Sequence, residues 1–145
     1  MGKLSYELVT SNRKLEGSFE VRRQVFVEEQ GIPKALEFDG NDKEALHMVV
    51  KDGERVVGTA RVLFLAGNQA KLERMAVLKS FRRRGIGRRI LSFLNGELRS
   101  RRVQQVVLHA QHEAVAFYRA CGFLETGLPF SEAGIEHKKM QRRLD

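Results

Sequence analysis

The stretch "ALHMVVKDGERVVGTARVLFL", Ala45 to Leu65, constrains the fold more than any other part of the chain. Two runs rich in β-branched residues flank Asp52-Gly53, the pair that most readily takes the positive φ angles of a tight hairpin turn. A second turn at Gly67-Asn68 leads into a third strand, Ala70 to Leu78. The remaining elements arrange themselves around this meander. Leu4 to Val9 reads as a short first strand. From Ser11 onward, Leu15, Phe19, Val21, Arg22, Val25 and Phe26 recur at three- and four-residue spacing. That spacing predicts a helix, capped by Ser11 or Asn12 and ended by Gly31-Ile32-Pro33, with an acidic loop after it to about Asp42. Ile86, Ile90, Leu91, Leu94 and Leu98 mark one face of a second helix. Val103 to Ala110 is apolar on both sides, hence a central strand. Glu113 to Ala120 is a short helix stopped by Gly122, and Phe123 to Thr126 and Ile135 to Leu144 are closing strands. The order β-α-β-β-β-α-β-α-β-β predicts an α/β chain whose mixed central sheet is flanked by helices.

At 145 residues the chain has the size of one domain, taken as residues 1–145, and should bury roughly two thirds of its unfolded surface. It carries 42% apolar residues and no low-complexity tract, which argues against disorder. No apolar run approaches the ~20 residues of a membrane span. The N-terminus lacks a signal-peptide pattern, and Tyr6 breaks a myristoylation motif. Cys121 is alone, so neither a disulfide framework nor a cysteine metal site is expected, and a cytoplasmic location follows. The histidines lack ligand spacing, so no metal is expected.

The net charge of +8 is local. Lys79 to Arg102 holds nine bases against Glu97, while bases and acids balance over the rest of the chain. Glu28 to Glu44 is acidic, with Glu28, Glu29, Glu37, Asp39, Asp42 and Glu44 against Lys34 and Lys43. One cationic and one anionic region suggest two different ligands. Inside the cationic region, "RRRGIGRRI" joins a strand to a helix. Such a junction favours anions: the first helical amides have no internal partner, the helix dipole favours negative charge there, and glycine permits a close backbone approach. There is no Gly-Lys-Ser/Thr of a nucleotide P-loop, and Ile90 stands where a dinucleotide fingerprint needs a third glycine.

These residues resemble a known family. "RRRGIG" fits the R/Q-x-x-G-x-G/A signature of the GNAT superfamily, the Gcn5-related N-acetyltransferases, with Arg82, Gly85 and Gly87 in the signature places. Arg83 stands where many members have glycine. "ERMAV" resembles the family's splayed fourth strand, and "AQHEAVAFYRACGF" its later N-x-x-A-x-x-x-Y-x-x-x-G-F segment. There Ala114, Tyr118, Gly122 and Phe123 match, and Gln111 replaces the asparagine. "VFVEEQGIP" and "GIEHKKM" resemble the small bacterial ElaA/YjcF-like branch. The resemblance covers residues 4–144. It implies a GNAT fold and direct transfer of an acetyl group from acetyl-CoA to a primary amine in a ternary complex. It further implies an acetyl-CoA site made by Met75, Ala76, Val77, Arg82, Arg83, Arg84, Gly85, Ile86, Gly87, Arg88, Gln111, Phe117 and Tyr118. Arg82 to Arg89 would hold the pyrophosphate and 3′-phosphate, and backbone groups of Met75 and Val77 would hold the pantetheine arm. Homodimers occur in the superfamily.

Acetyl transfer needs a neutral amine, a polarised carbonyl oxygen and a proton for the departing thiolate. Tyr118 is the expected proton donor, its alternative being a packed aromatic. A backbone N–H at or near Met75 or Val77 is the expected oxyanion donor. Glu73 is the candidate general base, placed on the face of Met75 by strand alternation; its alternative is an ion pair with Arg61. His47 fits a hydrogen-bonded core residue, while His109, His112 and His137 are weaker base candidates. Cys121 is expected to pack rather than carry acetyl. The acidic segment suggests a small cationic amine acceptor. Two other readings stand beside this one. The basic cluster could serve a nucleic acid, although only Phe81 and Phe93 are interleaved with it. Alternatively the chain binds acetyl-CoA as a regulator without transferring it.

Overall fold

A computed structural model describes residues 3–9 and 15–144. The hairpin around Asp52-Gly53 joins β2 (Leu46–Asp52) to β3 (Arg55–Leu65), and the turn at Gly67-Asn68 leads to β4 (Gln69–Val77). β1 (Leu4–Leu8) pairs with β2 on the outer side. β5 (Gln105–Gln111), β6 (Leu124–Glu132) and β7 (Ile135–Arg143) complete a seven-stranded sheet in the order β1-β2-β3-β4-β5-β7-β6. Only β4 and β5 run parallel, joined through helix α3 (Ile86–Ser100). The element order, the mixed sheet and the interior place of β5 agree with the sequence reading.

α1 (Glu16–Arg22) continues into a π-helical stretch, Arg23–Glu29. The proposed caps Ser11 and Asn12 lie outside the described residues. The acidic loop contains a further short helix, α2 (Lys34–Glu37). α4 (Val115–Ala120) follows β5. α1 covers the sheet face that carries Thr59, where the Ser18 and Thr59 hydroxyls meet at 2.5 Å. α3 buries Ile86, Ile90, Leu91, Leu94 and Leu98, all at 3% exposure or less. Burying each such side chain contributes roughly 1.5–3 kcal/mol. Among the described residues no helix is long and apolar enough to cross a membrane.

β6 runs to Glu132 rather than ending at Thr126. Gly127 and Pro129 read as a loop in the sequence, yet they sit in a bulge between Thr126 and Phe130 on an edge strand. An edge bulge tolerates a proline because no ladder bond is asked of it.

A second bulge matters more. Thr59 pairs with Ala76 and Arg61 with Glu73, so Arg74 and Met75 stand opposite Ala60 alone. Arg74 turns through φ +54° and donates to the carbonyls of Glu37 (3.2 Å) and Leu36 (3.3 Å) and to the Asp39 carboxylate (3.1 Å). Beneath it lies Arg61, whose side chain is fully buried and donates to Asp39, Asp42 and Glu73. Arg22 adds bonds to Glu37 (2.8 Å) and Asp42 (2.7 Å). This network ties the acidic segment to β3 and β4. His47 belongs to it as a core residue, donating through Nε2 to the Asp42 carbonyl at 2.8 Å, and burial lowers its imidazole's proton affinity.

Removing Arg61 strands its carboxylate partners. Arg61→Met should therefore cost about 3–5 kcal/mol of unfolding free energy at neutral pH, measured by urea denaturation. Burial works against ionisation at Asp42 and Glu73, yet the guanidinium partners outweigh it, and the Arg61 bond also holds Asp39 below the usual carboxylate range. Their stabilising effect is thus present above the ordinary carboxylate range and lost as pH falls through the lowered values. The gap between wild type and variant should narrow below about pH 4.

Candidate active site

Pairing between β4 and β5 ends at Leu72 and Leu108, four residue pairs from where it began. Beyond that point the strands part, and a cleft of about 1000 Å³ opens between them. The Leu78 N–H donates to the Val57 carbonyl on the β3 side. Strand alternation then aims the N–H and C=O groups of Met75 and Val77 into the opening. The Val77 carbonyl is taken by Arg82 Nε at 2.9 Å, which leaves its N–H. On the opposite lip, the Leu144 N–H bonds the Gln104 carbonyl, so by the same alternation His109 and Gln111 turn their backbone groups inward.

At one end of the cleft α3 begins. Gly85 precedes it in the left-handed region, φ +78°, and no side chain caps the helix. The amides of Ile86, Gly87 and Arg88 are therefore left for an outside acceptor. Gly87 has a second reason to lack a side chain: a Cβ there would stand 3.1 Å from Phe117 and 3.8 Å from the Met75 methyl. The arginines of the loop differ in their commitments. Arg82 is bound twice over, by the Val77 carbonyl and by a two-pronged pair with Glu29 at 2.6 and 2.7 Å. That pair raises the Arg82 guanidinium and lowers the Glu29 carboxyl. Arg84 lies over the Phe81 ring. Arg83 and Arg88 line the cleft and have no ion-pair partner among the described residues. Arg82 thus organises the loop, while the helix amides, Arg83 and Arg88 face what binds there.

Met75, Gly87, Ala114, Phe117 and Tyr118 line the same cleft. Tyr118 packs edge-on against Phe117 and Phe123, with centroids at 5.1 and 5.8 Å. Burial pushes its phenol up, so the hydroxyl keeps its proton through neutral pH. Its oxygen has no hydrogen-bond partner among the described residues. Cys121 packs against the core as expected.

The other sheet face forms the second half of the cleft. The bulge at Arg74 corrects one expectation: Glu73 shares its face with Ala76 and Arg61, not with Met75, because the extra residue reverses the alternation. Glu73 makes the ion pair with Arg61 that the sequence left open, and is further held by Lys71 at 3.3 Å. Arg61 keeps its carboxyl ionised against the pull of burial, which makes it a weak proton acceptor. The acidic segment is corrected too. Glu28 pairs with Arg23, Glu29 with Arg82, Glu37 with Arg22, and Asp39 and Asp42 with Arg61. These carboxylates neutralise arginines and present no open anionic wall. Gln111 closes the wall instead, donating to Gln30 at 2.8 Å. His109 and His137 both line this half, whereas His112 is exposed beside Glu136.

A family model for the acetyltransferase (GNAT) domain matches residues 6–144. The chain belongs to the GNAT acetyltransferase family. The uncharacterized N-acetyltransferase YjcF of Bacillus subtilis is 37% identical over 93% of this chain and 96% of its own. A Lactobacillus plantarum protein assigned as an N-acetyltransferase has a solved structure 26% identical in sequence, covering 99% of each chain at a TM-score of 0.92. Escherichia coli ElaA shares the fold at a TM-score of 0.86 and 23% identity, over 97% of this chain and 99% of its own.

Within this GNAT chain, the arginine loop, β4 and Tyr118, which the sequence singles out, meet at one cleft. The sequence missed Gln30 and Glu132, which reach the cleft from distant segments with no local pattern to mark them. Gly87→Val should weaken acetyl-CoA binding about tenfold or more by crowding Phe117. Calorimetric titration checks this, with an unchanged circular dichroism spectrum as the control for folding.

Proposed function

We propose that the protein is an acetyl-CoA-dependent N-acetyltransferase, a single domain that passes the acetyl group directly from the thioester to a primary amine while both are bound. The observation that carries this reading is the parting of β4 and β5. It opens a cleft that reaches both faces of the sheet, with an uncapped helix N-terminus in one half and Glu73 and His109 in the other. The amides of Ile86, Gly87 and Arg88, with the side chains of Arg83 and Arg88, suit a pyrophosphate. Arg84 lies over the Phe81 ring and is not part of the cleft lining, and Arg82 fixes the loop. The inward N–H groups of Met75 and Val77, flanking Ala76, suit the amides of a pantetheine arm. One of them is placed to stabilise negative charge on the thioester oxygen. Phe117 packs along that path, and Tyr118 hands its proton to the leaving sulfur. Glu73 supplies fixed negative charge at the acceptor mouth. Because the acidic segment is neutralised by arginines, the structure supports no preference for a cationic acceptor.

Calorimetric titration of acetyl-CoA, beside an Arg82→Ala/Gly85→Asp double variant, tests the cofactor half. Wild-type binding in the micromolar range, lost in a variant with unchanged circular dichroism, is the expected result. No binding to a folded wild type would remove the basis of the reading. Tyr118→Phe should leave acetyl-CoA affinity unchanged and lower the rate of thiol release to an amine acceptor by about 100-fold. A protein that only senses acetyl-CoA would not respond to the lost hydroxyl.

A further inference from the structure

On the acceptor face of the parted strands, side chains from three strands meet at the rim of the cleft. His109 Nδ1 lies 3.2 Å from one carboxylate oxygen of Glu132, and His137 Nε2 lies 3.8 Å from the other. A carboxylate only accepts, so His109 carries its proton on Nδ1 and turns its lone pair out through Nε2. No described residue bonds that Nε2. His137 is held separately, donating from Nδ1 to the Ile135 carbonyl at 2.7 Å. Phe130 fixes both rings, edge-on to His109 at 4.9 Å and stacked on His137 at 5.9 Å.

Register places the group against the opening. Lys71 pairs with Val107 and Leu72 with Leu108, so Glu73 and His109 are the next couple, and they are the first across which the strands have separated. Both project to the same face. At the other lip Glu73 is kept ionised by Arg61, which makes it a poor proton acceptor. The charged groups that face His109 among the described residues are Glu132 from β6, His137 and Lys139 from β7, of which Lys139 pairs with His109 in register, and Glu73 with Lys71 from β4.

We propose that His109, oriented by Glu132, takes the proton from the acceptor's ammonium group, an inference that rests on the acetyltransferase reading above. His109 Nε2 accepts one ammonium proton, and Glu132 stabilises the imidazolium that results. The freed nitrogen lone pair forms the N–C bond, and the C–S bond breaks with its electron pair leaving on sulfur. Sulfur takes the phenolic proton of Tyr118. The second proton shed by the new amide nitrogen restores that phenol through solvent, and His109 returns its own to solvent. One amide, one free thiol and one proton in solution balance the step.

Acetyl-CoA is offered with benzylamine, an ammonium near neutral pH, or with trifluoroethylamine, mostly neutral there, and thiol release is followed. His109→Gln should lower kcat with benzylamine by about 100-fold while acetyl-CoA affinity holds. With trifluoroethylamine the loss should stay under about tenfold, because that amine needs no base. Imidazole should restore part of the benzylamine rate to His109→Ala. Nitrogen NMR of the rings should show the Nδ1–H form of His109 in wild type and its loss in Glu132→Gln. Equal losses with both amines, or an Nε2–H tautomer in wild type, overturn the proposal and leave the acetyltransferase reading intact. A wild type that binds acetyl-CoA and transfers to neither amine overturns both.

Discussion

Opening a sheet between two central strands leaves backbone groups without ladder partners, and a fold keeps such an opening only if its lips are held apart by something stiff. Here the stiffness comes from buried charge. Arg61 sits fully enclosed on β3 and binds Asp39, Asp42 and Glu73 together, while Arg74, turned out by the bulge in β4, pins the carbonyls of Leu36 and Glu37. Buried charges of this kind add little net stability when fully paired, but they tolerate few alternative arrangements, which suits a part that must keep its shape. The cleft between β4 and β5 borders this clamp, which shares Glu37, Asp39, Glu73 and Arg74 with its lining.

Pairing also decides where the positive charge can act. Part of the cationic cluster is already committed: Arg82 to Glu29 and the Val77 carbonyl, and Arg101 to Glu97. What is left facing the cleft is small and well placed, namely the uncapped amides of α3 beside Arg83 and Arg88. A site with few phosphate contacts on rigid backbone is the arrangement suited to one nucleotide-like anion rather than to a polyanion.

Much of this was legible in the sequence because the signals were local. Asp52-Gly53 dictates a hairpin within four residues, and the apolar spacing of α3 announces its buried face. The arginine-glycine junction reads as an anion site from sequence alone, since uncapped amides follow from the geometry of any helix start. Tyr118 stands out through the resemblance of its segment to the family motif, which also carries Gly122 and Phe123. Two readings failed for one shared reason. Strand alternation puts Glu73 on the wrong face because it assumes no bulge, and the acidic segment reads as a site for a cation because most of its arginine partners, Arg22, Arg61 and Arg82, come from other elements. Nothing near Arg74 in sequence announces a left-handed residue there. β6 runs past the Thr126 end that the sequence suggests, because the penalty of Pro129 depends on whether the strand is at an edge.

By itself, then, the sequence determined the strands and the main helices, their order, and a strand-to-helix junction whose free amides favour an anion. These follow from interactions between residues a few positions apart. The tertiary structure alone decided which carboxylates are free, which side of β4 each side chain takes, and that His109, Glu132 and His137 meet at one rim. Those outcomes depend on pairing between segments far apart in the chain, where a one-residue bulge or a single buried arginine redirects everything that packs against it.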